Sequence, residues 1–111
     1  MSFLLLFYFL LTRPRYIYIQ HHIIVNFWDL SGHPEFFEVR NEFYKDTQGV
    51  LLVFDVSSKS SFEALDSWIN EARKFGLKEK AAVYVVANKT DMKRVVSERD
   101  GRSWADKHRF E

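Results

Sequence analysis

Apolar residues come in two rhythms along this chain. Ile23 to Trp28, Gly49 to Val56 and Ala81 to Ala87 are short, nearly unbroken apolar runs bounded by polar residues, the pattern of strands buried on both faces of a parallel sheet. Tyr16 to Ile19 precedes the first of these across Gln20-His21-His22, which predicts an antiparallel hairpin with both histidines in the turn. Between the runs the spacing becomes helical. Phe62, Leu65, Trp68, Ile69, Ala72 and Phe75 recur every three or four positions, Ser60 and Glu63 form a capping box, and Gly76 supplies the stop. Ser97 and Asp100 open a last helix that runs through Trp104, Ala105 and His108, and Pro34 opens a helical stretch that reaches Tyr44.

Two polar words sit where strands end. Asn88-Lys89-Thr90-Asp91 follows the Ala81 to Ala87 run directly. A carboxylate fixed at a strand end accepts two hydrogen bonds from adjacent N–H donors, and guanine offers such a pair at N1 and N2 where adenine does not. Asp91 in that role selects guanine, Asn88 ties the loop to neighbouring backbone, and the Lys89 stem lies over the base with its ammonium hydrated. Taken alone, the pattern also describes an ordinary polar loop between a strand and a helix. Trp28-Asp29-Leu30-Ser31-Gly32 is the second word. Asp29 at a strand end can hold magnesium through water, and Gly32, three residues on, lets a backbone N–H approach a terminal phosphate.

The order strand, DxxG, helix, strand, helix, strand, NKxD, together with the words WDLSGH, RNEFYKDTQGVLLVFDV, SFEALDSW and VANKTD, resembles the Ras-like small GTPases, Rab branch, from Tyr16 to Glu111. Within that branch GHPEFFEVRNEFYKDTQGV is most similar to the Rab-like GTPases that carry a J domain after the GTPase domain. The resemblance implies an α/β fold: a partial Ras-like P-loop NTPase domain over residues 16–111, with a mostly parallel sheet and flanking helices. It also implies GTP or GDP and Mg2+ as ligands, a cytoplasmic setting, and a guanine-nucleotide switch as the function. Under it, Asn88, Lys89 and Asp91 read guanine, while Gly32 senses the outer phosphate and Asp29 the magnesium ion. His33 stands where the family carries a water-orienting Gln, so hydrolysis is expected to be impaired.

One part of that machinery is missing. A Walker A loop, G-x-x-x-x-G-K-[ST], uses glycines to bring backbone N–H groups onto phosphates and a Lys to neutralise them. The four glycines here are followed by His33, Val50, Leu77 and Arg102, so the chain contains no Gly-Lys pair and no such loop. With 111 residues, and an end at Arg109-Phe110-Glu111 where the family's last strand would begin, the chain reads as a domain truncated at both ends. A formal net charge of +1 predicts no strong attraction to nucleic acid or an anionic membrane. Cysteine is absent, which excludes disulfides and thiol nucleophiles and suits a reducing compartment.

Residues 1–15 differ from the rest. Phe3 to Leu11, FLLLFYFLL, is too short to span a bilayer as a helix, which takes about 20 residues. No basic residue precedes it and no small-residue cleavage site follows, so it is not a typical signal peptide. It stands where the phosphate-loop segment of a Ras-like domain would be, as an alternative start joined to a GTPase fragment would. In a Ras-like sheet the first strand lies between those corresponding to Ile23 to Trp28 and Gly49 to Val56. Phe3 to Leu11 is expected to fill that slot, parallel to Ile23 to Trp28, with a short helix or a disordered tail as the competing reading.

The Pro34 to Tyr44 stretch corresponds to the family's mobile switch-like helix. Its Phe36, Phe37, Phe43 and Tyr44 are candidate contacts for an effector protein as well as candidate core. Two functions follow from the sequence: a GTP-binding switch of Rab type, or a nucleotide-independent interaction module or inactive fragment on the same scaffold.

Overall fold

A computed structural model describes residues 3–12, 22–30 and 33–111. Strands Phe3–Thr12 (β1), His22–Leu30 (β2), Gly49–Asp55 (β3) and Ala82–Asn88 (β4) form one sheet in the order β2-β1-β3-β4. Helices Phe37–Asn41 (α1), Lys59–Lys74 (α2) and Glu98–His108 (α3) flank it, giving the expected α/β fold with a parallel β3–β4 pair. The predicted Tyr16 to Ile19 strand, His21 and the DxxG residues Ser31 and Gly32 lie outside the described residues. His22, expected in a turn, instead begins β2 opposite Thr12.

β1 takes the slot expected of it, hydrogen-bonded between β2 and β3, but in the opposite direction. It is antiparallel to both neighbours, with Leu4 opposite Leu30 and Leu52, and Phe7 opposite Phe27 and Gly49. The connection explains the direction. Residues 13–21 are too few for the crossover of about a dozen or more residues that a parallel neighbour needs, so β2 returns beside β1 as a hairpin. Because both β2 and β3 oppose β1, and β4 is parallel to β3, the carboxyl ends of β2, β3 and β4 point to one edge of the sheet.

The core lies on one face of the sheet. Val50, Leu52, Phe54 and Val56 meet Leu65, Trp68, Ile69 and Ala72 of α2, all of them buried. Leu65 and Ile69 are almost fully enclosed, and burying each side chain is worth about 1.5–3 kcal/mol. The cap of α2 lies two residues before the expected Ser60. Ser58 caps the helix, accepting from the Ser61 N–H at 3.3 Å. Ser61 is buried and used elsewhere: its hydroxyl accepts from the Asp55 N–H at 2.9 Å and lies 2.7 Å from the Ser58 carbonyl. At the other end Gly76 has φ +105, and the bonds Leu77 N–H to Ala72 O (2.8 Å) and Gly76 N–H to Arg73 O (3.4 Å) form a Schellman stop. Ser97 caps α3 as its sequence indicates, accepting from the Asp100 N–H at 3.0 Å.

The stretch from Pro34 is not one helix. A 3-10 turn, Pro34–Phe36, leads into α1, and a second 3-10 turn, Tyr44–Asp46, follows. Bonds of the tighter kind, Phe43 N–H to Arg40 O at 3.1 Å and Thr47 N–H to Tyr44 O at 3.3 Å, mark the break. Tightening the chain here turns Tyr44 into the core, where it is fully buried.

Candidate functional site

β3 and β4 run parallel with Asp55 opposite Asn88, so both strands deliver polar ends to the same edge. Val56, the first residue beyond β3, stitches the two ends together. Its N–H donates to the Asn88 carbonyl at 3.1 Å, and its carbonyl accepts from the N–H groups of Val95 and Val96 at 2.8 and 3.0 Å. Asn88 therefore ties the loop to neighbouring backbone through its main chain. Its side-chain amide is exposed and has no partner among the described residues.

Lys89 turns the chain at φ +59, in the left-handed region, and its carbonyl accepts from the Met92 N–H at 2.9 Å. Its ammonium is not simply hydrated as expected: Nζ lies 2.8 Å from Oδ2 of Asp55, whose side chain is only 8% exposed. The other oxygen of that carboxylate accepts from the Ser57 N–H at 2.8 Å and from the Ser57 hydroxyl. The hydrogen bonds from Lys89 and Ser57 hold the Asp55 carboxyl far below the usual carboxylate range. Asp91, two residues on, is exposed and makes no hydrogen bond or ion pair with the described residues. The loop thus presents an unused carboxylate at the end of a turn that is otherwise pinned.

Of the other predicted residues, Asp29 and His33 are not gathered here, and Gly32 lies outside the described residues. Asp29 is exposed near the end of β2, three strand positions from β4 and so about 14 Å or more away across the sheet. His33 is exposed and precedes the first 3-10 turn, where its Nδ1 accepts from the Glu35 N–H at 3.4 Å and lies 3.8 Å from Glu35 Oε2.

Guanine fits the Asp91 end of this site, since a carboxylate with both oxygens available is the acceptor the base requires. The direction of β1 does not suit the phosphates. β1 brings Phe3 toward the edge that carries Asp55 and Asn88, and Thr12 leaves at the opposite edge beside His22. A phosphate-binding loop following this strand would open on the wrong side of the sheet. Among the described residues no three His, Cys, Asp or Glu side chains converge as a metal site.

Sequence reasoning missed two groups. Asp55 stands inside the apolar run Gly49 to Val56 and was not singled out; aligning GVLLVFD with AVYVVAN end to end would have set it beside the NKTD lysine. The second group joins α1 to α2. Arg40 is buried and donates from Nε and Nη2 to Glu71 Oε1 and Oε2 at 2.6 and 2.8 Å, while Nη1 reaches the His33 carbonyl at 3.1 Å. The Tyr44 hydroxyl donates to Glu71 Oε1 at 2.6 Å, and the guanidinium lies over the rings of Phe37 and Trp68, 5.1 and 5.2 Å from their centroids. Burial pushes Glu71 up, but the bonds from Arg40 and Tyr44 outweigh it and hold the carboxyl below its ordinary value. Burial, and then the bond to Glu71, push the Tyr44 phenol far above its own. The signal was an Arg at helical spacing with Phe37 and Tyr44, facing a Glu between Trp68 and Ala72.

This group also corrects the expected effector surface. Tyr44 is interior, and Phe43 is half-buried with its ring 4.4 Å from that of Trp28. Phe36 (50%) and Phe37 (39%) remain exposed, beside Val39.

Comparison with known proteins agrees with this scaffold. The Ras family model matches residues 12–111. The chain is 52% identical over 97 residues to DnaJ homolog subfamily C member 27 of Rattus norvegicus, 51% to that of Homo sapiens and 48% to subfamily C member 27-A of Xenopus laevis. Each alignment covers 82% of this chain and 36% of the relative, so the chain spans about a third of the length of these curated relatives. The protein belongs to the Ras family, and its fold is a Ras-like GTPase scaffold. Family membership implies GTP or GDP and Mg2+ for intact members. The relatives' name agrees with the J-domain resemblance read from GHPEFFEVRNEFYKDTQGV. Among the described residues no helix is long and apolar enough to cross a membrane.

Proposed function

We propose that residues 16–111 are the guanine-reading part of a Rab-type nucleotide switch and that this chain recognises the guanine base weakly, in a cytoplasmic setting, without turning over GTP. The observation that carries the reading is Asp91, an exposed carboxylate without a partner among the described residues, on a loop whose Asn88 and Lys89 are held by Val56 and Asp55. In this reading Asp91 accepts from N1–H and N2–H of guanine, and the Lys89 stem flanks the base. Asp29, Gly32 and His33 correspond to magnesium, phosphate and water-orienting positions. They carry no step here, because the strand that should feed the phosphate loop runs the other way.

The test is selectivity. Titration with guanosine and with adenosine, followed by amide shifts of residues 88–92, gives a preference for guanosine that Asp91→Asn removes. Losing a hydrogen bond to a charged group is worth about 1.5–3 kcal/mol, a change of roughly tenfold or more in the ratio. A ratio left unchanged by Asp91→Asn refutes the reading.

A second reading, a nucleotide-independent interaction module, draws on the exposure of Phe36, Phe37 and Val39. Their turn of helix is fixed to α2 by Arg40 and Glu71. An effector protein would anchor on Phe36 and Phe37; half-buried Phe43 and fully buried Tyr44 are not part of that surface. Binding unaffected by Asp91→Asn and lost in Phe36→Ser distinguishes this module from the switch.

A further inference from the structure

The geometry assigns Asp55 as the positioning residue of the guanine-reading loop: through Lys89 Nζ, the carboxylate at the end of β3 sets where Asn88, Lys89 and Asp91 stand. The assignment rests on the reading of that loop given above. It starts from the way the carboxylate is aimed. Ser57 occupies Oδ1 with both its N–H and its hydroxyl, which leaves Oδ2 directed at Lys89, 2.8 Å away. Asp55 is itself fixed from the main-chain side, since its N–H donates to the Ser61 hydroxyl at 2.9 Å and ties the strand end to the first turn of α2.

Lys89 needs such a hold. A residue with a β-carbon at φ +59 is strained relative to ordinary backbone, and it persists only where its surroundings impose it. Two contacts do so: the ion pair to Asp55 and the Met92 N–H bond to the Lys89 carbonyl at 2.9 Å. The pair therefore acts on the loop at its most strained residue, two positions before the carboxylate that would meet the base. Asp55 touches no base in this arrangement and acts through Lys89.

The substitution Asp55→Asn separates positioning from general stability. Its amide oxygen still accepts from Ser57, while its amide nitrogen sets a donor against the Lys89 ammonium. Lys89→Met keeps the stem and removes the charge. Amide hydrogen exchange on the full chain reports the loop at Met92 and the far edge of the sheet at Ala82, whose N–H donates to the Gln48 carbonyl at 2.9 Å. Either single substitution is expected to speed exchange at Met92 about tenfold, the double substitution no further, with Ala82 unchanged within about twofold. Guanosine binding falls in both singles while adenosine binding does not. Unchanged exchange at Met92 in Asp55→Asn, additive effects in the double variant, or equal acceleration at Ala82 would each overturn the assignment. If the unsubstituted chain shows no preference for guanosine, the reading of the loop fails, and the exchange data alone still decide whether Asp55 positions Lys89.

Discussion

Arg40 and Glu71 form a two-pronged ion pair between α1 and α2, with bonds of 2.6 and 2.8 Å and side chains only 9% and 15% exposed. Removing one partner strands the other charge in a dry site, which costs about 3–5 kcal/mol in comparable buried pairs. Arg40→Met is expected to lower stability by about 3 kcal/mol in urea unfolding, the lower end because Glu71 retains some solvent. Arg40→Met combined with Glu71→Leu should recover part of the loss, since no unpaired charge remains.

The same pair sets a pH dependence. The Glu71 carboxyl titrates below its ordinary 4.5 in the folded chain, so the stability it contributes is fully present above that value and is lost as pH falls through the lower folded value. Unfolding midpoints of the unsubstituted chain and Glu71→Gln, followed from about pH 6 to about pH 3, should converge at the acid end. A constant difference would mean the carboxyl is not held down by Arg40 and Tyr44.

Gly76→Ala tests the stop of α2. At φ +105 an added β-carbon is strained, and it would stand 3.2 Å from Lys45 Cβ and 3.4 Å from Lys45 Cα. A loss of about 1–2 kcal/mol is expected in thermal or urea unfolding, with helix content unchanged.

What could be read from the sequence follows from how local each signal is. The runs Gly49 to Val56 and Ala81 to Ala87, the Gly76 stop and the Ser97 cap depend on neighbours within a few positions, and the elements lie within a residue of where the pattern puts them. The cap falls at Ser58, two residues before the predicted Ser60, because Asp55 draws Ser61 onto the strand end, a contact six residues back and on another element. The helix from Pro34 was read too long because burial of Tyr44 against Glu71, 27 residues away, overrides its periodicity. Local spacing predicts a hydrated cation at Lys89, but its partner Asp55 lies on the adjacent strand. In each case the deciding force was a long-range contact that local spacing does not encode.

The direction of β1 is a backbone matter and can be checked as one. Antiparallel registry predicts cross-strand nuclear Overhauser contacts pairing Thr12 with His22, and Phe7 with both Phe27 and Gly49. Contacts linking Thr12 instead to Leu30 would show the parallel strand. Leu6→Pro, at a position paired with Trp28 and Val50, should abolish cooperative unfolding, because Pro cannot serve a central strand.

On the reading proposed above, a Ras-family scaffold keeps the loop that reads guanine and places a reversed strand where the strand feeding the phosphate loop belongs. Titration of the purified chain with guanosine and with GDP, in magnesium and under identical conditions, tests it most directly. One base contact of about 1.5–3 kcal/mol supports affinity no better than roughly millimolar, and the phosphates add little, so the two ligands should bind with similar weak constants. Submicromolar binding of GDP, far tighter than that of guanosine, would contradict the account.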